Sequence, residues 1–286
     1  MVERLFILGG GFTGSAVARL AVGAGLEVVA TTRSEVRARA LRSLGANALL
    51  LDAGAARPLA SFVGPETRVL VTFPPDGETD RALAPIAATA RTIVYVSSTG
   101  VYGRARGRVD EDTPVDPDTP RSAARIAAEQ LWREAGASVV RAPAIYGPGR
   151  GLHLRLARGQ VRLGEDSGNA ISRVHIADLA GALFALLMRD DRSTYVIGDD
   201  APSPHGEVVR WLCQRMHLPE PPSAAAPAHE VHETLRNDRR VDPSRLRAAL
   251  GVAAIYPTYR EGFAHCLRVD AATIDECLRE RGAGGA

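Results

Sequence analysis

Three glycines near the start of the chain, Gly9, Gly11 and Gly14, are spaced for phosphate chemistry. A short apolar run, Leu5–Leu8, leads into them, and a helix-forming stretch, Ser15–Leu20, follows at once. In such a strand, turn and helix the first glycine turns the chain off the strand. The second lets backbone approach a pyrophosphate, and the third lets helix and strand pack closely. The helix N-terminus then offers N–H groups and a partial positive charge to the phosphates. The pattern implies a bound dinucleotide rather than a bare glycine-rich turn.

The end of the second strand bears on which dinucleotide. It reads Thr31-Thr32-Arg33-Ser34, with no acid placed to accept from a ribose 2′-hydroxyl. Arg33 is a planar fork suited to a 2′-phosphate, and Thr32 and Ser34 add hydroxyls. NADP is therefore expected in preference to NAD. The competing reading of Arg33 is a solvated loop residue.

These residues need a scaffold, and the apolar runs supply one. Val28–Thr31, Ala48–Leu51, Val69–Thr72, Ile93–Val96 and Ser138–Arg141 read as strands. Helical patterns start between them near Phe12, Ser34, Glu78 and Arg121. Apolar strands with helical crossovers predict an α/β fold with a parallel sheet covered on both faces. Beyond Gly147 a helix is expected at Ile176–Met188, a strand at Thr194–Ile197 and a loop at 219–228. Helices follow near 204–216, 243–250 and 258–268, and the tail 282–286 is expected to fray.

Composition excludes several partners. The 286 residues carry 35 cationic and 33 acidic side chains, a balance that suggests neither nucleic acid nor an anionic membrane. All of the cations are arginine; the chain has no lysine. Cys213, Cys266 and Cys277 form no C-x-x-C pair, so reduced thiols in a cytoplasmic protein are expected, and no metal site. No apolar run approaches a membrane span, and the chain enters a strand at once, without a signal peptide.

Further segments follow the glycine turn in order: Tyr95-Val-Ser-Ser-Thr-Gly-Val-Tyr-Gly103, Asp110-Glu-Asp-Thr-Pro114, Arg141-Ala-Pro-Ala-Ile-Tyr-Gly-Pro-Gly149 and Arg173-Val-His-Ile-Ala-Asp-Leu-Ala180. Together they resemble the extended short-chain dehydrogenase/reductases, the nucleotide-sugar epimerase/dehydratase family. Leu8 sits where that family's first glycine would fall, which looks like an atypical branch. The resemblance implies a doubly wound Rossmann sheet of about seven strands in residues 1–150, completed by about 170–200. It also implies a smaller C-terminal lobe from 150–170 and 200–286. The cofactor would be lined by Phe12 and Thr13 in the glycine turn, Asp52 at the adenine, Phe73 and Pro74 near the ribose, and Ser97, Pro143 and Ala144. Arg173 and His175 would face the substrate, a small or nucleotide-sugar-like molecule. The family often pairs two helices in a four-helix interface, which implies a homodimer.

The same resemblance exposes a gap. The family's Tyr-x-x-x-Lys pair does its proton chemistry, yet here those positions read Arg121 and Arg125. Their i,i+4 spacing keeps both on one helix face. Arg125 can take over ribose hydrogen bonds. Arg121, with a guanidinium that is effectively never deprotonated, is a poor acid or base near neutral pH. It is better suited to bind an anion or stabilise an oxyanion. Ser98 matches the family's hydroxyl, although a strand-end serine also bonds local backbone. Tyr146, Tyr102 and His175 remain as proton donors, with Asp178 near enough to orient the histidine. Two functions stay open: an NADP-dependent oxidoreductase or epimerase with atypical site chemistry, and a non-catalytic NADP-sensing regulator.

Overall fold

The computed structural model describes residues 3–51, 59–222 and 238–283. Its strands in chain order are β1 (Arg4–Leu8), β2 (Glu27–Thr32), β3 (Asn47–Leu50), β4 (Thr67–Val71), β5 (Thr92–Ser98), β6 (Gly107–Val109), β7 (Ser138–Ala142), β8 (Ala144–Tyr146), β9 (Ala170–Ile171), β10 (Arg173–His175), β11 (Thr194–Val196), β12 (Ser203–Pro204) and β13 (Arg239–Val241). Seven of them form one parallel sheet in the order β11-β7-β5-β4-β1-β2-β3. The order reverses at β1, which lies between β2 and β4, with Leu5 opposite both Val28 and Arg68. That reversal opens the crevice in which a doubly wound sheet binds its ligand.

The expected α/β Rossmann architecture is thus present, and alternation along each strand explains its two cores. Leu5 and Ile7 of β1 enter the core that includes Leu70, Val94, Leu179 and Leu183. Phe6 and Leu8 enter the opposite core, with Val69, Val71, Tyr95 and Trp132. Helices cover both faces. Phe12–Gly23 packs beside Ile176–Leu187, and Glu78–Ala87 beside Pro120–Glu134. The last of these begins at Pro120 behind a reciprocal cap. Thr119 Oγ1 accepts from the Ser122 N–H, and Ser122 Oγ accepts from the Thr119 N–H, both at 3.1 Å.

Two small sheets were not legible from hydrophobic pattern. β8 pairs with β10, and a four-stranded sheet runs β12-β9-β13-β6. Strands of two or three residues are too short to show a period. The helix Ala271–Ala283 corrects the expected frayed tail from 282; residues 284–286 lie outside the described residues. So does 223–228 of the expected surface loop, while 219–222 has no regular structure. Among the described residues, no helix is long and apolar enough to cross a membrane.

Candidate active site

The glycine turn has the geometry its spacing implied. Gly9 has φ +108°, and its N–H donates to Thr31 Oγ1 at 3.0 Å while its carbonyl accepts from Thr72 Oγ1 at 2.5 Å. A Cβ at Gly14 would lie 2.2 Å from the Gly9 carbonyl oxygen, so helix and strand touch there. A Cβ at Gly11 would meet nothing within 4 Å. The Phe12–Gly23 helix has Gly11 as N-cap and no side-chain cap. Its first N–H groups therefore face an open cradle, which fits a pyrophosphate. Gly10, outside the three spaced glycines, is as constrained as Gly9. Its Cβ would lie 2.6 Å from Leu41 Cδ1, and its N–H donates to the Thr31 carbonyl. Phe12 is covered by the Arg150 guanidinium, 5.3 Å from the ring centre.

At the end of β2, Arg33 is exposed and makes no hydrogen bond or ion pair to a described residue. Thr32 Oγ1 accepts from the Ser34 N–H, and Ser34 Oγ caps the next helix by accepting from Arg37 N–H. Both hydroxyls keep their own hydrogen to donate. Asp52 lies outside the described residues.

A cavity of about 1200 Å³ opens beyond the carboxyl ends of β4, β5 and β7. It exceeds the ~300–1,000 Å³ of an ordinary small-ligand site, leaving room for a cofactor with a second molecule. Thr13, Phe73, Pro74, Ser97, Ser98, Arg121, Arg125, Pro143, Ala144, Tyr146 and Arg173 all line it, so most of the expected site residues do converge. Ser97 Oγ is buried without a hydrogen-bond partner among the described residues, which suits a ligand polar atom. Arg125 lies along the wall with Nη1 3.2 Å from Tyr95 OH and 3.5 Å from the Val96 carbonyl. Burial pushes the Tyr95 phenol up to about 12, against the opposing pull of Arg125.

The structure withholds most of the proton donors read from sequence. Tyr102 is fully buried behind the wall and does not line the cavity. Its hydroxyl donates to the Asp110 carbonyl at 2.5 Å and accepts from Arg141 Nη1 at 3.1 Å. His175 is also off the cavity. Its Nδ1 accepts from the Ala177 N–H as a helix cap, and its Nε2 meets His265 Nδ1 at 3.2 Å. Asp178 does not orient it; that carboxylate accepts from the Ile255 and Tyr256 N–H groups instead. Ser98 reaches the cavity, but its Oγ accepts from the Gly100 N–H at 3.1 Å, the local bond expected of a strand-end serine. Tyr146 lines the cavity with its ring 4.4 Å from Phe263. Its hydroxyl is buried against Gly262 without a hydrogen-bond partner, and burial pushes the phenol far above its ordinary range. Such a phenol keeps its proton firmly.

Arginine dominates instead. Nine arginines line the cavity against a single carboxylate, Asp118, which is paired with Arg104. Four of the nine, Arg155 with its bond to the Gln160 carbonyl included, are solvated by backbone or phenol oxygen rather than by acids. Arg125 is one. Arg239 donates to the carbonyls of Thr99, Gly103 and Ala105. Arg173, only 3% exposed, donates from Nη1 to the carbonyls of Ile171 and Ser203. These bonds satisfy guanidinium hydrogens without cancelling their charge, so the cavity keeps a positive field. Asp199 approaches Arg173 through the backbone N–H at 3.5 Å, and burial lifts its carboxyl to about 7.

Sequence reasoning missed His205. It lines the cavity at the start of the His205–Met216 helix, 6% exposed. Burial, then Arg173 and Arg155, lower it to about 4. Burial and His265 lower His175 likewise to about 4. In the unfolded chain both take a proton near pH ~6.5. Between that pH and about 4 the unfolded state therefore binds more protons, so stability rises with pH across this window and is lost as pH falls. Asp199, lifted to about 7, works in the opposite sense, so the difference is the test: between pH 7 and pH 4.5 the thermal midpoint of His205→Asn should fall less, or rise more, than that of the wild type. Equal slopes in both proteins would show that His205 titrates normally in the fold.

The profile of the NAD dependent epimerase/dehydratase family matches residues 79–198. A conserved protein of unknown function from Silicibacter pomeroyi DSS superposes with a TM-score of 0.81. It is 30% identical, and the overlap covers 93% of this chain and 99% of that one. The chain belongs to the NAD-dependent epimerase/dehydratase family. Among family relatives, a 3-diazoavenalumate denitrifying reductase from a Streptomyces species is 30% identical over 175 residues, 54% of this chain. The match spans 57% of that relative's own length. The structure of MoeE5 with UDP-glucose and NAD superposes with a TM-score of 0.79 at 21% identity, covering 95% of this chain and 99% of that one. Membership of this family supports binding of a nicotinamide dinucleotide by the chain.

Proposed function

We propose that the chain is an NADP-dependent oxidoreductase or epimerase acting on an anionic small or nucleotide-linked substrate. The observation that carries this reading is the arginine wall of the cavity, nine guanidinium groups against the single lining carboxylate of Asp118. Bound nicotinamide supplies hydride transfer. The glycine turn and the uncapped helix behind it hold the pyrophosphate. Arg33 grips the 2′-phosphate, Ser97 and Arg125 meet the ribose side, and Arg121 and Arg173 bind the substrate anion. Arg121 stabilises negative charge developing on the substrate where the family would use a phenol. The reductase relative is named for a diazo substrate, and reduction at a diazo group has no alkoxide to protonate. That chemistry is compatible with a cavity short of proton donors.

The test is a cofactor titration followed by a substrate panel. NADPH should bind more tightly than NADH, and its absorbance at 340 nm should fall with at least one anionic carbonyl, diazo or nucleotide-linked compound. A silent panel would turn the reading toward a cofactor sensor, which the engagement of Tyr102 and His175 away from the cavity also favours. A partner whose capture differs between NADP-loaded and empty protein would support that second reading. Arg33→Ala is expected to weaken NADP about tenfold, the worth of one charge-assisted pair, and to leave NAD nearly unchanged. Equal loss for both cofactors in a calorimetric titration would remove Arg33 from the 2′-phosphate.

A further inference from the structure

We propose that the cavity contains a second anion site, separate from the glycine turn, at the start of the His205–Met216 helix. It would take the carboxylate or phosphate of the substrate. This rests on the reading above that Arg173 serves the substrate, and it narrows that substrate to a molecule ending in a compact anion.

The first observation is Arg173. It is 3% exposed and lines the cavity, yet its Nη2 has no hydrogen-bond partner among the described residues. A buried guanidinium with a free donor edge is costly unless something completes it. The second observation is the helix beside it. Arg173 Nη1 donates to the carbonyl of Ser203, next to the N-cap Pro204, and no side chain caps that twelve-residue helix. The His205 N–H is taken by the Asn169 carbonyl, and the rest of the helix's first turn adds partial positive charge to the same place. Arg155 also lines the cavity and acts electrostatically on His205.

The donor balance selects the ligand. The carbonyls of Ile171 and Ser203 are engaged by Arg173. Ser172 Oγ accepts from the Val241 N–H and donates to the Arg239 carbonyl. Asp118, the one lining carboxylate, is paired with Arg104. A nucleobase presents donors as well as acceptors; the acceptors left at this end are the neutral His205 ring nitrogen and the Tyr146 hydroxyl, with Asp199 Oδ2 behind Arg173, and the cationic donors of Arg155 and Arg173 outweigh them. A carboxylate or phosphate presents acceptors alone and matches it.

Calorimetric titration of the full chain saturated with NADP tests the site, using malonate, inorganic phosphate and uridine as probes. Malonate or phosphate should bind saturably, and uridine should not. Arg173→Gln should lose at least about tenfold in anion affinity, as expected for one charge-assisted contact, with NADP affinity retained. Arg155→Gln, at an exposed position, should lose severalfold and decides the matter if Arg173→Gln does not fold. The proposal is overturned if neither anion binds, if uridine binds as well as they do, or if the folded variants keep wild-type anion affinity. Should NADP itself fail to bind while malonate binding still depends on Arg155 and Arg173, the cofactor reading falls and the anion site stands.

Discussion

Gly14→Ala is expected to abolish dinucleotide binding and to destabilise the fold by about 3 kcal/mol, the upper end of overpacking costs. The new Cβ would lie 2.2 Å from the Gly9 carbonyl oxygen and 3.0 Å from Ile7 Cγ2. The first of these is backbone and cannot rotate away. The helix must therefore lift off β1, which moves the very N–H groups that face the phosphates. A loss of that size lowers the thermal midpoint of a chain this long by roughly 5 °C. Gly11→Ala separates the two effects. Its Cβ enters open space, and Gly11 has an ordinary φ of −81°, so stability should change little while cofactor affinity falls. Thermal denaturation and NADP titration on both variants give the comparison. A Gly14→Ala protein with wild-type midpoint and affinity would mean that the close approach does not set the turn.

How far the sequence could be read follows the same division between backbone and side chain. The glycine turn was legible because each glycine answers a local steric demand, and Gly9 and Gly14 meet theirs as expected. Gly10 was not, because its demand comes from Leu41 and the Thr31 carbonyl, which only folding brings near. The strands of the main sheet were legible because the inner ones, such as β4 and β7, are buried along their length and read as apolar runs. Orientation of side chains at their ends was harder. Tyr102 follows Ser98 by four residues in the same segment, yet Arg141 and the Asp110 carbonyl draw its hydroxyl behind the wall. His205 carries no motif, and it reaches the cavity only through the placement of its helix. The charge of the cavity was hidden for a related reason. Overall charge is near balance, and the imbalance appears only when distant arginines meet without their acids.

Glu129→Gln is expected to cost about 3–5 kcal/mol, the usual result of stripping one partner from a buried ion pair. Glu129 is 1% exposed and accepts from Arg141 Nε at 3.1 Å, Arg141 Nη2 at 2.9 Å and Arg133 Nη2 at 2.7 Å. A glutamine keeps one acceptor but turns N–H hydrogens toward a buried guanidinium. Arg141 continues the network to Tyr102, whose hydroxyl holds the Asp110 carbonyl. The pair thus fixes the Pro120–Glu134 helix to β7 and to the segment after β5. Arg121 and Arg125 project from that same helix, so the anchor sets where two of the cavity's cations stand. The expected result has two parts: a lower denaturation midpoint, and weaker cofactor binding at temperatures where the variant is still folded. The double variant Glu129→Leu with Arg141→Leu should recover most of the stability, because removing both charges leaves none unpaired. It should not recover the binding, since an apolar contact holds the helix without the register that a bidentate pair imposes. If the double variant regained both, the network would be serving stability alone, and the position of Arg121 and Arg125 would be set by packing of the helix through Trp132 on Tyr95.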